Sequence, residues 1–110
     1  MTTISYDDFL KVDFRVGTII KVDNFLKAKK HAYKLLIDFG SLGIKKSSAQ
    51  ITELYSKEEL LKKQIIAIIN FKPKQIANFM SECLVLGVYN SKKNVVVLVS
   101  SYTKNGNSIK

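Results

Sequence analysis

The sequence predicts an all-β domain: a small five-stranded barrel with a short N-terminal helix and a second helix between the third and fourth strands. Five or six short segments rich in β-branched residues follow one another, separated by turn residues, which is typical of small sandwiches and barrels. Gly17 stands in the middle of the first segment and indicates a bulge or sharp bend of the kind that lets a small barrel close. With 110 residues, the chain has room for one domain, 1–110, around a single core.

The first predicted element is a helix within residues 3–12. Ser5 is placed to cap it, and two aspartates follow in the first turn, where the helix dipole favours negative charge. Helical spacing then brings three apolar side chains onto one face: Tyr6, Phe9 and Leu10. Because a helix this short is unstable alone in water, we expect this face to pack on the domain or on a second subunit.

Six strands are predicted to follow, over residues 13–25, 32–39, 44–51, 64–70, 83–89 and 95–99. The third has a polar centre, residues 45–50, so one of its faces is expected to meet ligand or solvent. The fourth is a nearly unbroken β-branched run, which is typical of a buried strand. Residues 52–63 carry a helical signal with Ser56 as the cap. This order of elements matches the oligonucleotide/oligosaccharide-binding (OB) fold.

Residues 70–87 form the connector in which we expect the binding site. They start at the end of one apolar strand and run into the next, and they hold the chain's only proline, Pro73, with Lys72 and Lys74 on either side. The connector also carries amide, aromatic and hydroxyl side chains that folding alone does not require. Loops held between rigid strands are where binding residues concentrate.

The charge of the chain favours an anionic partner. The net charge is +9, from 18 basic and 9 acidic residues, and the pI is about 9.7. Such a balance is typical of nucleic-acid-binding proteins, and the alternative is a solvated, lysine-rich surface without a ligand. Arg15 is the only arginine. Since lysine lacks the planar fork of arginine, recognition of shape and backbone is expected rather than reading of base edges.

The sequence argues against an enzyme. His31 is the only histidine and lies among lysines, and Cys83 is the only cysteine and lies in an apolar run, where burial is expected. There is no glycine-rich phosphate motif and there are too few ligands for a metal site, so no cofactor is expected. A lone cysteine excludes an internal disulfide and favours a reducing compartment. Neither a signal peptide nor a membrane span is recognisable, so we expect a cytoplasmic protein without membrane insertion.

Four ordered segments resemble the CsaA branch of the tRNA-binding-domain superfamily. They read VDFRVGTI (12–19), AYKLxIDFG (32–40), SSAQIT (47–52) and NFxPxxIAxFxSExLVLG (70–87). The resemblance covers essentially the whole chain and implies an OB-fold barrel that forms a homodimer, with residues 1–12 and 100–110 as dimerisation extensions. It also implies an export-related chaperone that binds unfolded or precursor polypeptides, with the export motor as a further candidate partner and with tRNA-binding ability.

The chain departs from the usual CsaA pattern inside the connector 70–87. Where that pattern has two arginines, a glycine and a lysine, this chain has Lys74, Gln75, Asn78 and Met80. The loss of both guanidinium groups weakens bidentate recognition of phosphate or carboxylate. Asn78 is expected to accept the left-handed backbone conformation that glycine takes freely. These changes favour loose polypeptide contact over phosphate recognition.

For an extended polypeptide, the candidate residues supply apolar contact, hydrogen bonds and one cation. They are Gln50, Asn70, Phe71, Lys74, Ile76, Phe79, Met80 and Ser81. For Phe71 and Ile76, the alternative is that they complete the core.

For nucleic acid, the candidate residues supply cations for the backbone, one aromatic ring for stacking and one hydroxyl. They are Lys34, Lys45, Lys46, Lys72, Lys74, Phe79 and Ser81. The alternatives are a solvated face for the lysines and a core anchor for Phe79. We predict a homodimeric chaperone with tRNA-binding ability, and a structure-selective tRNA-binding protein is the alternative.

Overall fold

Two short helices and nine strands lie along residues 1–109, the part of the chain that this computed structural model describes. The helices are α1 (Tyr6–Leu10) and α2 (Lys57–Leu60), and the strands are β1 (Phe14–Asn24), β2 (Tyr33–Asp38), β3 (Ile44–Ala49), β4 (Gln64–Ile68), β5 (Lys74–Ile76), β6 (Phe79–Ser81), β7 (Leu84–Val85), β8 (Gly87–Tyr89) and β9 (Val95–Val97). Within this part of the chain, no helix has the length and apolar character needed to cross a membrane.

Strand β1 is the centre of an antiparallel five-stranded sheet with the order β3-β2-β1-β4-β7. The sheet curls into a nearly closed barrel, to which the hairpins β5-β6 and β8-β9 are added. Helix α1 precedes the barrel, and α2 lies between β3 and β4. The predicted all-β class and the five-stranded, OB-like barrel with two helices are therefore confirmed.

Three predictions of detail are wrong in the second half of the chain. The connector 70–87 is not an irregular loop, because β5 and β6 form a hairpin within it. The strand predicted over 83–89 divides at Leu86, since β7 pairs with β4 whereas β8 pairs with β9. The helix predicted over 52–63 is only four residues long, and Lys62 beyond it has a φ of 71°, which no helix continues through.

The core is filled by alternate residues of the long strands. Because neighbouring side chains of a strand point to opposite faces, Leu35 and Ile37 of β2 lie inside, while Lys34 and Leu36 lie on the partly exposed outer face. The largest fully buried side chains are Ile19, Leu35, Ile37, Phe39, Leu60 and Ile65. The central strands and α2 therefore form one continuous apolar centre.

Gly17 has a different role from the predicted one. It pairs regularly with Ile65, and the break in register falls further on, between Ile19 and Lys21. A Cβ atom at position 17 would come within 2.7 Å of side-chain atoms of Ile37 and Phe39. Glycine is required there because Phe39 packs directly on the β1 backbone, not because β1 bulges at that point.

The barrel is sealed between β3 and residues 81–83 with the help of side chains. The fully buried Ser47 hydroxyl donates to the Cys83 carbonyl oxygen at 2.9 Å. The Glu82 N–H donates to the Lys46 carbonyl oxygen at 2.7 Å, and Glu82 Oε1 accepts from the Lys46 N–H at 2.8 Å. The polar centre of the third strand, which we expected to meet ligand or solvent, thus serves in part to close the barrel.

Residues 99–109 are held on the barrel by the buried side chain of Gln64. Its Nε2 donates to the Thr103 carbonyl oxygen at 2.6 Å and to Asn105 Oδ1 at 3.0 Å. Its Oε1 accepts from the Thr103 N–H at 3.1 Å and from the Ser100 hydroxyl. One glutamine therefore satisfies polar groups of residues 100–105, beside the backbone hydrogen bonds that join Gly106 and Asn107 to Val16.

Helix α1 packs only part of its aromatic face on the barrel. Ser5 Oγ accepts a backbone N–H of the first turn at 3.0 Å, as predicted for the cap. The ring centroid of Phe9 lies 6.0 Å from that of Tyr6 and 5.7 Å from that of Phe14. Tyr6 and Leu10 remain largely exposed. The predicted packing on the domain is therefore partial, and an apolar surface is left open.

Candidate functional site

An open groove with a volume of about 1200 Å³ lies between several parts of the chain. It is bordered by the loop between β1 and β2, by the residues that follow β3, and by β5 with the residues before it. Residues 81–87 and the turn between β8 and β9 complete it. The groove is thus built from loops and short strands that rest on the barrel, and the core residues Ile51 and Cys83 form part of its lining.

The lining combines apolar and basic side chains. Its apolar part includes Ile51, Phe71, Ile76, Leu86 and Val95. Its basic part consists of Lys30, Lys72, Lys74 and Lys93, with His31 beside them. None of these lysines takes part in the ion pairs found among residues 1–109, and two acids, Glu53 and Glu82, also line the groove. Such a lining suits a ligand that carries both apolar and acidic groups.

Six residues predicted to bind a ligand do line this groove: Gln50, Phe71, Lys72, Lys74, Ile76 and Ser81. Phe71 is 56% exposed, so it does not complete the core, which was the alternative for this residue. Ile76 is half-buried and lines the groove with its remaining surface. The sequence thus located one wall of the groove.

Asn70 lies outside the groove, and its side-chain amide forms hydrogen bonds with the backbone. Its Oδ1 accepts from the Asp13 N–H at 2.9 Å, and its Nδ2 donates to the Lys11 carbonyl oxygen at 2.7 Å. These two bonds tie the end of β4 to the segment between α1 and β1. Because both ends of the amide are occupied in this way, we leave Asn70 out of the proposed binding surface.

The β5-β6 hairpin turns one face toward the barrel. The cross-strand pairs Lys74–Ser81 and Ile76–Phe79 share this inner face, because directly opposed residues point to the same side of a hairpin. Met80 belongs to the alternate pair, is 39% exposed, and does not line the groove. The two strands also face different neighbours, since β5 borders the groove while β6 lies beside β3.

Ser81 fixes the position of this hairpin. Its Oγ accepts from the Ser48 N–H of β3 at 3.0 Å and donates to the Cys83 carbonyl oxygen at 3.4 Å. The hydroxyl therefore serves as a hydrogen-bond partner for the backbone of β3, beside which β6 lies without pairing with it.

The turn of the hairpin is made by Ala77 and Asn78. Ala77 has a φ of 52°, whereas Asn78 keeps a negative φ. The left-handed conformation that Asn78 can adopt is therefore not used at this position. Pairing of Ile76 with Phe79 leaves a two-residue turn, and a left-handed first position is what a type II′ turn requires.

A second group of predicted residues lies on the outer face of β2 and β3. The ammonium nitrogen of Lys34 is 5.7 Å from the ring centroid of Phe25 and 5.8 Å from that of Phe79, and that of Lys46 is 5.3 Å from the Phe79 centroid. The two rings meet edge to face at 5.4 Å. We call Phe25, Lys34, Lys46 and Phe79 the Phe79 cluster. Phe79 is half-buried within it and anchors the hairpin to the barrel.

Lys45 is separated from Lys46 although the two are adjacent in sequence. Alternation along β3 places Lys45 on the same side as the buried Ser47 and places Lys46 on the outer face. Lys45 is half-buried and belongs to neither the groove nor the Phe79 cluster.

Cys83 and His31 do not form a reactive pair. Burial raises the pKa of the Cys83 thiol to about 11, against the smaller opposite effects of the Ser47 hydroxyl and Lys45. At neutral pH the side chain is therefore a thiol rather than a nucleophilic thiolate. Within residues 1–109, no three His, Cys, Asp or Glu side chains are grouped as a metal site requires.

Several groove residues were not singled out from the sequence. They come from the β1-β2 loop and from the β8-β9 turn: Lys30, His31, Tyr89, Lys93 and Asn94. The fold itself points to the β1-β2 loop, because OB folds bind ligands with the loops after the first and fourth barrel strands. The β8-β9 turn follows the fifth barrel strand, β7, and no local pattern in the sequence marks it.

Comparison with known proteins gives the same family from three directions. The family model described as "Putative tRNA binding domain" matches residues 14–108. The methionine–tRNA ligase of Listeria monocytogenes serovar 1/2a is 34% identical over 107 residues, which is 97% of this chain. The chain spans only 16% of that ligase, so the whole ligase's activity does not carry over.

Two solved structures are similar to the chain over nearly its full length. The CsaA chaperone protein from Picrophilus torridus has a TM-score of 0.94 and 51% identity, covering 98% of this chain and 100% of that one. The chaperone CsaA from Bacillus anthracis str. Ames has a TM-score of 0.94 and 44% identity, covering 99% and 100%. The chain therefore belongs to the tRNA-binding-domain family, within its CsaA branch.

Proposed function

We propose that this chain is a homodimeric, export-related chaperone that binds unfolded or precursor polypeptides, and that it also has an affinity for tRNA. The observation that carries the proposal is the open groove, which combines apolar and basic side chains and lacks a reactive group. The similarity to two CsaA chaperone structures supports it. In this proposal the protein is not an enzyme, it acts in the cytoplasm, and an export motor is a candidate partner.

The groove suits an unfolded chain better than a small molecule. Phe71 and Ile76 offer apolar contact that is not consumed by the core, and Gln50 can donate and accept hydrogen bonds along an extended backbone. The surrounding lysines favour segments that carry acidic side chains. An open, mixed lining of this kind discriminates weakly between sequences, as a chaperone requires.

The homodimer is proposed to form through the two ends of the chain. Helix α1 leaves Tyr6 and Leu10 exposed, and Ser108 and Ile109 lie beside that helix around a smaller cavity of about 630 Å³. Residues 1–12 and 100–110 are the proposed extensions, of which Lys110 lies outside the described residues. Covering this apolar surface with a second copy would also help a domain too small to bury much of its own surface.

Aggregation of a chemically denatured substrate protein tests the chaperone proposal. The wild-type protein is expected to suppress light scattering at an equimolar ratio of dimer to substrate. Phe71→Ala is expected to weaken binding of the unfolded substrate by roughly tenfold, as for a partly exposed aromatic contact. Leu26→Ala, which removes an exposed apolar side chain that neither lines the groove nor lies in the proposed dimerisation extensions, is the control. Absence of suppression by the wild-type protein would overturn the proposal.

The dimer is tested by deleting residues 1–10. The truncated protein is expected to be monomeric or insoluble, because the deletion removes the apolar face of α1. Multi-angle light scattering gives the mass directly, and an unchanged dimer mass would refute the proposed interface.

A structure-selective tRNA-binding protein is the second candidate function. It is favoured by the net charge of +9 and by the lysines of the groove and of the Phe79 cluster. It predicts tRNA binding that weakens steadily as salt is raised. If Lys34→Glu combined with Lys74→Glu leaves tRNA binding intact, the proposed surface is wrong.

A further inference from the structure

Strand β8 has one edge that no other strand covers. It pairs with β9 along one side only, and the other side has no partner strand among residues 1–109. All three of its residues are exposed. An exposed edge of this kind presents backbone N–H and C=O groups that can pair with another extended chain.

The register of the β8-β9 hairpin shows which backbone groups lie on the uncovered edge. The Asn90 N–H donates to the Asn94 carbonyl oxygen at 2.9 Å, directly next to the pair of Tyr89 with Val95. Because hydrogen-bonded and non-hydrogen-bonded pairs alternate along an antiparallel ladder, Tyr89 and Gly87 occupy non-hydrogen-bonded positions. Their N–H and C=O groups therefore point away from β9, and no backbone group of residues 1–109 pairs with them.

The uncovered edge borders the groove. Gly87 and Tyr89 both line the groove, whereas Val88, which points to the opposite face of the hairpin, does not. Since glycine has no side chain, the atoms that Gly87 presents to the groove belong to the backbone. A Cβ atom at position 87 would collide with the Val95 side chain and would lie 3.0 Å from the Val96 carbonyl oxygen. The edge is thus kept free of a side chain at this position.

A chain that paired with this edge would turn alternate side chains into the groove. Tyr89 and its cross-strand partner Val95 share one face of the hairpin, and both line the groove. Residues paired with β8 would continue that face toward the apolar lining, which includes Phe71 and Ile76. The residues between them would point outward, on the side where Val88 is 52% exposed.

The charge around the edge favours an acidic polypeptide as the occupant. Lys93 lies in the β8-β9 turn, Lys74 lies on β5 and Lys72 lies just before it, and all three line the groove. These ammonium groups attract carboxylates of an added strand. A second copy of this chain carries a net charge of +9 and would be repelled.

We propose that an extended polypeptide segment of alternating apolar and acidic residues binds in the groove as an additional antiparallel strand on the free edge of β8. This inference rests on the proposed function, because it states how the groove holds the polypeptide of that proposal. Backbone pairing supplies affinity that is independent of the side chains, and the apolar and basic lining adds a preference among segments. The antiparallel orientation is the more stable of the two.

Fluorescence anisotropy with a short labelled peptide of alternating leucine and glutamate tests the proposal on the ligand side. Antiparallel pairing with the leucines in the groove turns the leucine N–H groups toward β8 and the glutamate N–H groups away from it. N-methylation of the leucines is expected to bind about tenfold weaker than N-methylation of the glutamates, because only the former removes hydrogen bonds to β8. Affinities that do not differ in this direction would overturn the proposal.

Hydrogen exchange of single amides, followed by NMR, tests where the peptide pairs. In the free protein, the amides of Gly87 and Tyr89 are expected to exchange faster than that of Val88, which is bonded to β9. Saturating unlabelled peptide is expected to slow exchange at Gly87 and Tyr89 by about tenfold or more. If both amides are already as protected as Val88 in the free protein, a second copy covers the edge and the proposal fails.

A proline at position 89 tests the same pairing on the protein side. Tyr89→Pro removes an N–H that points away from β9, so the hairpin keeps its own hydrogen bonds. It is expected to bind the peptide about fivefold more weakly than Tyr89→Ala, which loses the ring but keeps the N–H. Equal affinities of two folded variants would contradict the proposal. The N-methylated peptides are measured with the wild-type protein, so their result holds whether or not Tyr89→Pro folds.

Failure of this inference can be told apart from failure of the proposed function. If the unmodified peptide binds and Phe71→Ala weakens it, but both N-methylated peptides bind alike, the groove holds polypeptide by side-chain contacts alone. Strand addition then fails while the proposed function stands. If the unmodified peptide does not bind at all, the proposed function itself fails.

Discussion

Residues 14–68 and residues 70–109 are built by different means. In the first stretch, β1 is 11 residues long, pairs with both β2 and β4, and contributes Val16 and Ile19 to the buried interior. In the second, each strand has two or three residues, and attachment to the barrel combines scattered backbone hydrogen bonds with a few side chains such as Gln64, Ser47 and Ser81. Backbone ladders spread stability over many bonds, whereas single polar side chains concentrate it. We therefore expect that one substitution can loosen part of the second stretch while the first stays folded.

The largest effect is expected from the core of the first stretch. Phe39→Ala removes a fully buried ring and should lower the free energy of unfolding by about 3–5 kcal/mol, from the lost transfer energy and the cavity left behind. Urea denaturation measures the change. Phe71→Ala, at an exposed ring of the second stretch, is the control and should change stability by less than about 0.5 kcal/mol. Equal effects of the two substitutions would break the distinction between scaffold and binding part.

The second effect concerns the attachment of residues 99–109. Gln64→Leu removes the hydrogen bonds to Ser100, Thr103 and Asn105 and should cost about 2–3 kcal/mol. Hydrogen exchange should show lost protection in residues 99–109 while β1 and β2 stay protected. Gln50→Leu is the matched control, because Gln50 is exposed. Uniform loss of protection over the whole chain would contradict the division.

The third effect is a pH dependence of stability at Cys83, where residues 81–83 meet β3. Burial raises the pKa of Cys83 from its ordinary 9.0 to about 11, so the folded state holds the thiol proton more tightly than the unfolded state. The stability gained from holding this proton is fully present below pH 9. It is lost as the pH rises from 9 to 11, which lowers the free energy of unfolding by on the order of 2 kcal/mol.

Urea denaturation of the wild-type protein and of Cys83→Ala at several pH values isolates the pH-dependent contribution of the thiol to stability. The substituted protein starts from a lower stability because a buried side chain is shortened, but that loss does not vary with pH. The difference in stability between wild type and Cys83→Ala should therefore shrink toward high pH. A difference in stability that stays constant with pH would show that water reaches the Cys83 thiol in the folded protein.

The smallest effect is expected in the turn of the β5-β6 hairpin, and it is stabilising. Ala77 has a φ of 52°, a conformation that glycine adopts at no steric cost. Ala77→Gly should raise stability by about 0.5 kcal/mol, because relief of the strain slightly exceeds the entropy lost by glycine. Thermal unfolding compared with Asn78→Gly, whose φ is not left-handed, checks this. A larger gain at position 78 would mean that the turn is of another type.

The fold could be predicted where the physical signal is periodic. Alternation in β2 and the Ser56–Glu59 capping box of α2 are local patterns that the structure follows closely, whereas the register shift in β1 interrupts alternation there. The role of Gly17 escaped prediction because it depends on Phe39, a residue of another strand. No local pattern reports a contact of that kind.

The candidate site could be predicted only in part. Six of its residues stand in or beside the connector 70–87 or at the end of β3, and their chemistry is visible in the sequence. The remaining wall comes from the β1-β2 loop and the β8-β9 turn, which approach the groove only after the barrel has formed. The structural role of Asn70 could not be predicted for the same reason, because its hydrogen-bond partners, Lys11 and Asp13, are distant from it in the sequence.

The contact between the two ends of the described chain bears on how fast the protein folds. The Arg15 guanidinium donates to the Gly106 carbonyl oxygen across a separation of 91 residues, and the Ile109 N–H donates to the Phe14 carbonyl oxygen. Closing so long a loop costs much chain entropy before the contacts that it brings together can stabilise the structure. Refolding should therefore take milliseconds to seconds rather than microseconds, and stopped-flow fluorescence with the intrinsic tyrosines can time it. Substitutions at Arg15 should then act mainly on the unfolding rate, because this junction forms after the folding barrier has been crossed.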